Sequence, residues 1–316
     1  MKAFEFYTKL TETLKEKLGN EWIAELHTDV ILNNGTNHIA LILYKNGEKL
    51  HPQIYLERFF EDYKRGKTMK EILQDVMKTY EEALQNINPD SLSGIEDWEQ
   101  VKGRLAFRLL SKERNKKMLE NYVYKEFLDL AAIVTFCAEI DEHGVKAIRV
   151  THDLAERWNV SEEEILQAAE ENTEALFPVR MEPILDTLCR VVDISRDDLP
   201  EEVLAEEEIS PQIMVLTNYL GVNGATVLLY DSFLQQVYEK LGGKFIILPC
   251  SIHEVIVMPS ASAPHAADSQ KMVEQINRSA VKEEEILSDS VYLYDGEKVI
   301  LACDSKGVCA YEENID

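Results

Sequence analysis

The stretch that decides the fold is IAELHTDVILNNGTNHIALILYKNG, which covers residues 23–47. Two apolar runs of strand length flank Asn33-Asn34-Gly35, and Asn46-Gly47 follows the second run. Asn-Gly between apolar runs indicates a tight turn, because both residues tolerate positive φ. The sequence therefore predicts a meander of three antiparallel strands, over residues 23–32, 39–43 and 50–55.

Amphipathic helices are predicted on both sides of this meander. Residues 3–18 carry apolar side chains at helical spacing and are followed by Gly19, a common helix stop. Residues 56–64 form a second predicted helix. Thr68-Met69-Lys70-Glu71 has the spacing of a capping box, in which two side chains satisfy each other's backbone amides. It begins a third predicted helix, which runs to residue 85.

Strands and helices follow one another in mixed order along the rest of the chain. Residues 121–138 are predicted to hold a second strand, or a helix followed by one. The other predicted strands are 104–110, 145–150, 212–218, 224–230, 245–248, 254–258, 291–294 and 298–303, and the other helices are 151–158, 161–173, 183–191, 231–241 and 266–278. This order favours an α+β fold over a doubly wound sheet. It predicts two mixed subdomains, with antiparallel meanders or hairpins and flanking amphipathic helices.

The domain boundary is predicted from charge. Residues 193–208 carry one arginine and eight acidic side chains: Asp193, Asp197, Asp198, Glu201, Glu202, Glu206, Glu207 and Glu208. Like charges repel and resist compaction, so this segment is interpreted as an acidic linker over 193–210. It would separate an N-terminal α+β region, 1–192, from a C-terminal α+β domain, 211–316. The N-terminal region divides into a helix-meander-helices subdomain, 1–88, and a mixed subdomain, 89–192.

The charge of the whole chain indicates which partners it favours. There are 58 acidic and 33 basic residues, for a formal net charge of −25. Such a chain repels nucleic-acid phosphates and anionic lipids, so we expect neither nucleic-acid nor membrane binding. A basic protein is the expected partner.

The cysteines and the apolar runs indicate a compartment. Five cysteines, with no C-x-x-C pair, do not resemble a secreted disulfide framework and favour reduced thiols in a reducing compartment. The N-terminal residues lack the apolar core of a signal peptide, and the longest apolar run, 130–138, is too short to span a membrane. We expect a cytoplasmic protein.

The most suggestive polar cluster is Cys250-Ser251-Ile252-His253-Glu254, between two predicted strands. In a hydrolase, Cys250 or Ser251 would be the nucleophile, His253 its base, and Glu254 or a distant carboxylate the group that orients the base. No G-x-S-x-G turn or known cysteine signature frames these residues. The favoured interpretation is a turn, in which Ser251 caps backbone amides and His253 makes a structural hydrogen bond.

Signals for metals, phosphates and DNA are weak. Cys250 and His253 have the spacing of half a zinc site, with Cys303 and Cys309 as conceivable partners, but no complete zinc motif is present. The G-x-x-G of residues 221–224 precedes a predicted strand, whereas a phosphate loop precedes a helix. We therefore expect no metal and no cofactor.

Residues 151–165 have helix-turn-helix spacing. The helix that would enter the DNA groove carries Glu162, Glu163 and Glu164 in its first turn. These charges would repel phosphates, so a structural helical hairpin is favoured over a DNA reader.

Several phrases of the sequence resemble a known family. They are Asn33 to Leu41, His51 to Glu57, Val215 to Asn218 with Gly224-Ala225, and Ile247 to Val255. Together they are similar to an uncharacterised bacterial family, a domain of unknown function common in anaerobic Gram-positive bacteria, over essentially the whole chain. The resemblance implies a cytoplasmic bacterial protein and no particular activity. His38 and Asn218, which lie in these phrases, are the candidate binding residues.

The leading functional hypothesis is a non-catalytic binding or interaction protein with an acidic surface. The alternatives are the hydrolase-like enzyme described above, and a regulator or acidic mimic of nucleic acid.

Overall fold

The computed structural model describes residues 1–47, 51–85, 94–142, 144–204, 212–249 and 251–310. The chain forms two compact units, Met1–Ser93 and Gly94–Asp316. Within the described residues, no helix has both the length and the apolar character needed to cross a membrane. The α+β class predicted from the sequence is confirmed.

In its described residues, the first unit packs three helices on an antiparallel sheet. The helices are α1 (Ala3–Leu18), α2 (Glu57–Lys64) and α3 (Met69–Gln85), and the strands are β1 (Trp22–Ile31), β2 (Asn37–Lys45) and β3 (Gln53–Tyr55), in the order β1-β2-β3. Phe6, Leu10 and Val76 are fully buried in the core between them. Each such side chain contributes about 1.5–3 kcal/mol on burial. The predicted meander and helices are confirmed.

The capping box at the start of α3 is also confirmed. The Thr68 amide and hydroxyl donate to the Glu71 carboxylate at 2.8 and 2.7 Å, and the Glu71 amide donates to the Thr68 hydroxyl oxygen at 3.3 Å. The backbone bond to Thr68 is the main reason why the pKa of Glu71 is lowered.

The described residues of the second unit form two antiparallel sheets. In the smaller sheet, the strands are β4 (Leu105–Ser111), β5 (Tyr124–Phe127), β6 (Leu130–Asp141) and β7 (Gly144–Arg149). Strand β4 pairs with one edge of β6, and β5 and β7 pair in succession with the other. Residues 121–138 thus hold two strands rather than a helix and a strand. Nine consecutive residues of β6 are buried, so its apolar run shows no alternation from which to assign it.

The helices of this part are α4 (Trp98–Val101), α5 (Lys116–Leu119), α6 (His152–Trp158) and α7 (Glu162–Leu176). The two helices predicted over 151–158 and 161–173 are present as α6 and α7. Asn159, at φ +55°, ends α6, and a capping box of Ser161 and Glu164 begins α7.

The larger sheet has six strands in the order β13-β12-β10-β11-β9-β8. They are β8 (Val179–Pro183), β9 (Met214–Asn218), β10 (Phe245–Leu248), β11 (Val255–Pro259), β12 (Val291–Tyr294) and β13 (Val299–Cys303), with helices α8 (Ile184–Val191), α9 (Asp231–Leu241) and α10 (Ala266–Ala280). The predicted closing hairpin is β12 with β13.

The acidic segment does not separate two compact units. Strand β8, which precedes residues 193–210, pairs along its length with β9, which follows them. The second unit accordingly extends from Gly94 through the larger sheet, whereas the sequence predicts a division at the acidic segment. Charge density predicts that a segment is solvated, but it carries no information on whether the flanking strands pair.

The predicted strand over 224–230 is wrong. Gly224–Leu229 forms a short 3-10 helix whose residues 224–228 are buried. A short apolar run is compatible with either structure, because a buried segment needs no alternation. Asn223, at φ +53°, turns the chain into this helix, and its carbonyl accepts from the Thr226 hydroxyl at 2.8 Å.

Two cysteines form a disulfide, in contrast to the reduced thiols expected from the sequence. Cys303 and Cys309 are bonded, and their Cα atoms lie 3.9 Å apart in an antiparallel bridge. Cys137 and Cys189 are buried free thiols. A count of cysteines does not show which of them meet in space. Cys303 and Cys309 meet because the chain reverses direction just after β13.

Candidate functional site

The polar cluster predicted from the sequence lies where two loops of the second unit meet. One loop follows β9 and covers residues 219–223, and the other connects β10 to β11. The Thr217 hydroxyl donates to the His253 carbonyl at 2.8 Å, and the Ala225 amide donates to the Ile252 carbonyl at 3.2 Å. These bonds hold the loops together, and we call this region the loop junction.

Asn218 shapes the first of these loops. Its side chain is 2% exposed, and its Nδ2 donates to the Val222 carbonyl at 2.8 Å. The Val222 amide lies 3.4 Å from Asn218 Oδ1 in a second, longer bond. Both polar atoms of the Asn218 side-chain amide are thus hydrogen-bonded within its own loop. A role of Asn218 in binding stays a prediction.

Ser251 and His253 lie in the second loop. The Ser251 hydroxyl oxygen accepts from the His253 backbone amide at 3.0 Å. The His253 Nδ1 accepts from the Asn223 backbone amide at 3.2 Å, so the neutral imidazole carries its proton on Nε2. The nearest described carboxylate oxygen to Nε2 is Glu285 Oε1, at 4.0 Å. These are turn contacts rather than a serine-to-imidazole hydrogen bond.

The other two candidates of this cluster are Cys250 and Glu254. Cys250 lies outside the described residues. Glu254 lies near Arg190, whose pKa is raised mainly by a hydrogen bond to Glu182 and to a smaller extent by the charge of Glu254. Glu254 is therefore part of the charged surroundings of α8.

His38, the remaining candidate, belongs to the first unit. Its Nδ1 lies 3.4 Å from Glu57 Oε1, and its ring meets the Tyr55 ring edge to face at 5.5 Å. The same Glu57 oxygen accepts from the Ile39 amide at 2.7 Å. His38 thus packs where β2 meets the start of α2, among side chains of its own unit.

Arg108 is the site residue that sequence reasoning missed. It comes from the centre of β4, whose other residues are all buried. With the Asn223 amide oriented so that its oxygen faces the arginine, that oxygen accepts from Arg108 Nη2 at 2.6 Å and from Nε at 3.0 Å. The signal was an arginine inside the otherwise apolar run LAFRLL of residues 105–110. A cation at such a position needs a partner.

The Arg108 guanidinium has no acidic partner among the described residues. Burial lowers its pKa, and the charge of Arg149 acts in the same direction, while Cys137 opposes both. The Cys137 pKa is raised by burial, and the nearby Arg108 charge partly offsets that effect. The arginine stays a cation because guanidinium is protonated at all physiological pH values.

The loop junction also lowers the pKa of His253. Burial is the largest cause, and the charges of Arg108 and Lys282 add to it. The carboxylates of Glu285 and Glu254 oppose this shift. His253 is therefore neutral at pH 7, and protonation would add a positive charge beside Arg108.

A pH dependence of stability follows from the His253 shift. In the unfolded chain the pKa of this histidine is near 6.5, which is higher than in the folded protein. As the pH falls, the unfolded chain is therefore protonated first, and protonation stabilises it relative to the folded protein. The contribution of neutral His253 to stability is fully present above about pH 6.5. It is lost as the pH falls from about 6.5 toward the lower pKa of the folded state. We expect the free energy of unfolding to fall more steeply between pH 7.5 and 5.5 in the wild type than in His253→Gln. Urea unfolding at each pH measures both slopes, and parallel slopes would contradict the assignment.

No group of three or more histidine, cysteine or acidic side chains suited to a metal occurs within the described residues. Two of the four residues considered for a zinc site, Cys303 and Cys309, are bonded to each other. The described geometry therefore does not assemble the set that the C-x-x-H spacing suggested.

Fold and site define an α+β protein in which two loops close over an arginine of a buried strand. The chain belongs to the family of unknown function DUF5688, whose model matches residues 3–296. The resemblance to a domain-of-unknown-function family is thereby confirmed. No curated protein matches the chain, and no solved structure matches it.

Proposed function

We propose that the protein is a non-catalytic binding protein that takes up a small anion, a carboxylate or a phosphate, at the loop junction. One observation supports the proposal. The only described hydrogen-bond partner of the buried Arg108 guanidinium is the uncharged side-chain oxygen of Asn223. Removing a cation from water without a counter-charge costs several kcal/mol. A bound anion would supply the missing charge.

The chemistry of guanidinium suits such a ligand. Its planar array of donors matches the two oxygens of a carboxylate or phosphate, and these charge-assisted bonds are about twice as strong as neutral ones. Only Nη2 and Nε of Arg108 are engaged by Asn223. The other terminal nitrogen has no described hydrogen-bond partner and is free for an anion.

The surroundings add positive charge. The Arg180 side chain lies beside the 219–223 loop, with its Nη2 3.8 Å from the position of a Cβ atom at Gly221. Among the described residues its buried Nε has no hydrogen-bond partner, and the Glu182 carboxylate, 3.6 Å away, is shared with Arg190. A third of the His253 side chain is exposed, which connects the junction to solvent.

Binding is favoured over hydrolysis by the contacts of Ser251. A serine nucleophile needs its hydroxyl within hydrogen-bond reach of the base. The described bond of Ser251 is to the His253 backbone amide, and the imidazole Nδ1 is occupied by the Asn223 amide. The protein is proposed to act in the cytoplasm, in keeping with the composition of its chain.

The experiment compares anion binding by the wild type and by Arg108→Gln. Acetate and phosphate are titrated at constant ionic strength, with binding measured by calorimetry and stability by urea unfolding. We expect a ligand at 100 times its Kd to stabilise the wild type by about 2.7 kcal/mol. Arg108→Gln is expected to lose at least tenfold in affinity, because glutamine keeps a donor for Asn223 but has no charge.

Arg157→Gln is the matched control. Arg157 has a side chain that is 63% exposed and pairs at 3.5 Å with Glu96 on the surface. Its replacement is expected to leave anion affinity unchanged. Equal affinities in the wild type and in Arg108→Gln, or no binding of either anion by the wild type, would exclude the proposed function.

A further inference from the structure

A strip of aliphatic side chains is exposed along α8. Leu188, Val191 and Val192 follow one another at helical spacing and are 51%, 73% and 60% exposed. Ile194, just after the helix, is 45% exposed and extends the strip. Single exposed apolar residues are common, but four neighbours on one helix end form a patch, and patches mark interaction sites.

The backbone that carries this strip is well fixed. The Val192 amide donates to the Leu188 carbonyl at 3.1 Å, and the Ile194 amide donates to the Cys189 carbonyl at 3.0 Å. Asp193, at φ +56°, takes the left-handed conformation that ends a helix in this way. The helix end is thus hydrogen-bonded, and the exposed side chains project from an ordered segment.

The opposite face of α8 is anchored to its own unit. Thr187 and Cys189 are buried, and the Thr187 hydroxyl donates to Glu182 at 2.7 Å. Arg190 binds the same carboxylate at 2.7 Å. Rotation of the helix to bury the aliphatic strip would break these contacts, so the strip stays exposed.

Exposed carboxylates follow the strip directly along the chain. Asp197, Asp198, Glu201 and Glu202 are exposed, as is Asp193. None of the five forms an ion pair within the described residues, and the one basic side chain among them, Arg196, pairs with Asp186. The apolar strip and this uncompensated acidic rim together are called the α8 face.

We propose that the α8 face binds a basic amphipathic segment of another protein. Apolar side chains of the partner would cover the strip, and its lysines or arginines would meet the rim. A second copy of the chain, at −25, would bring like charges together, and anionic lipid would be repelled by the same carboxylates. The inference is independent of anion binding at the loop junction.

The test uses the full chain and a defined probe. The probe is a fluorescent synthetic helix of about 18 residues, with leucines at i, i+3 and i+4 spacing and lysines elsewhere. A second peptide has the same composition with its leucines scattered. Fluorescence anisotropy is expected to show at least tenfold tighter binding of the amphipathic peptide. Equal binding of both peptides, or binding of neither, would overturn the proposal.

Two sets of variants locate the binding. Leu188→Ser with Val191→Ser is expected to weaken binding at least tenfold, whereas Val308→Ser, at a valine that is 68% exposed, leaves it unchanged. Asp197→Asn with Asp198→Asn and Glu201→Gln is expected to weaken it at least threefold at low salt. High salt should reduce this difference, because surface charges are then screened.

The charge control removes three carboxylates from the first unit, through Glu12→Gln, Glu16→Gln and Glu21→Gln. If these changes weaken binding as much as those on the α8 face, the peptide is responding to net charge and the proposal fails. Analytical ultracentrifugation of the wild type tests whether two copies of the chain associate through the α8 face. A dimer that dissociates in the Leu188→Ser, Val191→Ser variant would assign the face to a second copy and would likewise overturn the proposal.

Discussion

Gly224→Ala is expected to lower the free energy of unfolding by at least about 3 kcal/mol, at the upper end of overpacking effects. An added Cβ would lie 2.0 Å from the Thr217 hydroxyl oxygen, 2.5 Å from the His253 carbonyl oxygen and 2.7 Å from the Asn218 amide nitrogen. Two of these three atoms belong to the backbone, so rotation of a side chain cannot relieve the overlap. The loops of the junction would have to separate.

The contacts that would be lost are those that build the loop junction. The bond from Thr217 to the His253 carbonyl, and the one from the Ala225 amide to the Ile252 carbonyl, both cross the point where Gly224 fits. Anion binding should therefore be lost together with stability. Urea unfolding of the full chain measures the loss of stability. Calorimetry without urea, at a temperature where the variant is still folded, measures the loss of anion binding.

Gly103→Ala is the matched control. At Gly103, no atom of the described residues lies within 4 Å of an added Cβ, and φ is not positive. Alanine there is expected to be neutral or to stabilise by up to about 1 kcal/mol, because it restricts the unfolded chain. If both variants changed stability by similar amounts, the close approach at Gly224 would be refuted as the cause.

Asp129→Ala is expected to lower the free energy of unfolding by about 3–5 kcal/mol, because it leaves buried donors without an acceptor. The Asp129 carboxylate accepts from the Ser288 hydroxyl at 2.7 Å, from the Ser290 hydroxyl at 2.8 Å and from the Tyr292 hydroxyl at 2.6 Å. All three donors are buried, and Tyr292 is fully so. A buried donor without an acceptor costs about 1–3 kcal/mol, and removing one carboxylate leaves three of them.

The tyrosine shows how enclosed this network is. Burial is the main cause that raises the Tyr292 pKa well above 10, and the charge of Asp129 adds to it. Tyr292 thus remains a donor over the whole practical pH range. The carboxylate connects the turn between β5 and β6 to the segment before β12, and its loss should loosen both.

Graded variants separate this account from a general effect of mutation. Asp129→Asn keeps one acceptor oxygen and should cost less than alanine. Asp268→Ala removes a carboxylate that is 61% exposed and pairs with Lys271 on the surface, so it should cost less than about 1 kcal/mol. Urea unfolding ranks the stabilities of these three variants. If Asp129→Ala were as stable as Asp268→Ala, the network would be ruled out as a source of stability.

The local elements were predictable because their causes are local. The helix of residues 3–18, the capping box at Thr68 and the hairpin around Asn33 depend on side chains within a few positions of one another. Each appears in the structure close to its predicted bounds. The exception over 224–230 shows the limit, since an apolar run of that length fits a strand or a 3-10 helix equally well.

The candidate site was predicted in part. Ser251, His253 and Asn218 do lie around one junction of loops, and the turn contacts expected of Ser251 and His253 are present. Arg108 and Asn223, whose bond is central to the proposed function, were not singled out. They lie far apart in the chain, and the pairing of an arginine with an asparagine amide has no pattern in the sequence around either residue.

The α+β class, most of the helices and strands, the net charge of −25 and the family could all be read from the amino-acid sequence. The pairing of β8 with β9 across the acidic segment, the approach of two loops at Gly224 and the exposed aliphatic strip on α8 became visible in the folded chain. The physical reason is the range of the interactions. Turn preferences, capping bonds and apolar periodicity act over a few residues, whereas strand pairing and buried polar contacts join segments whose sequences carry no record of each other.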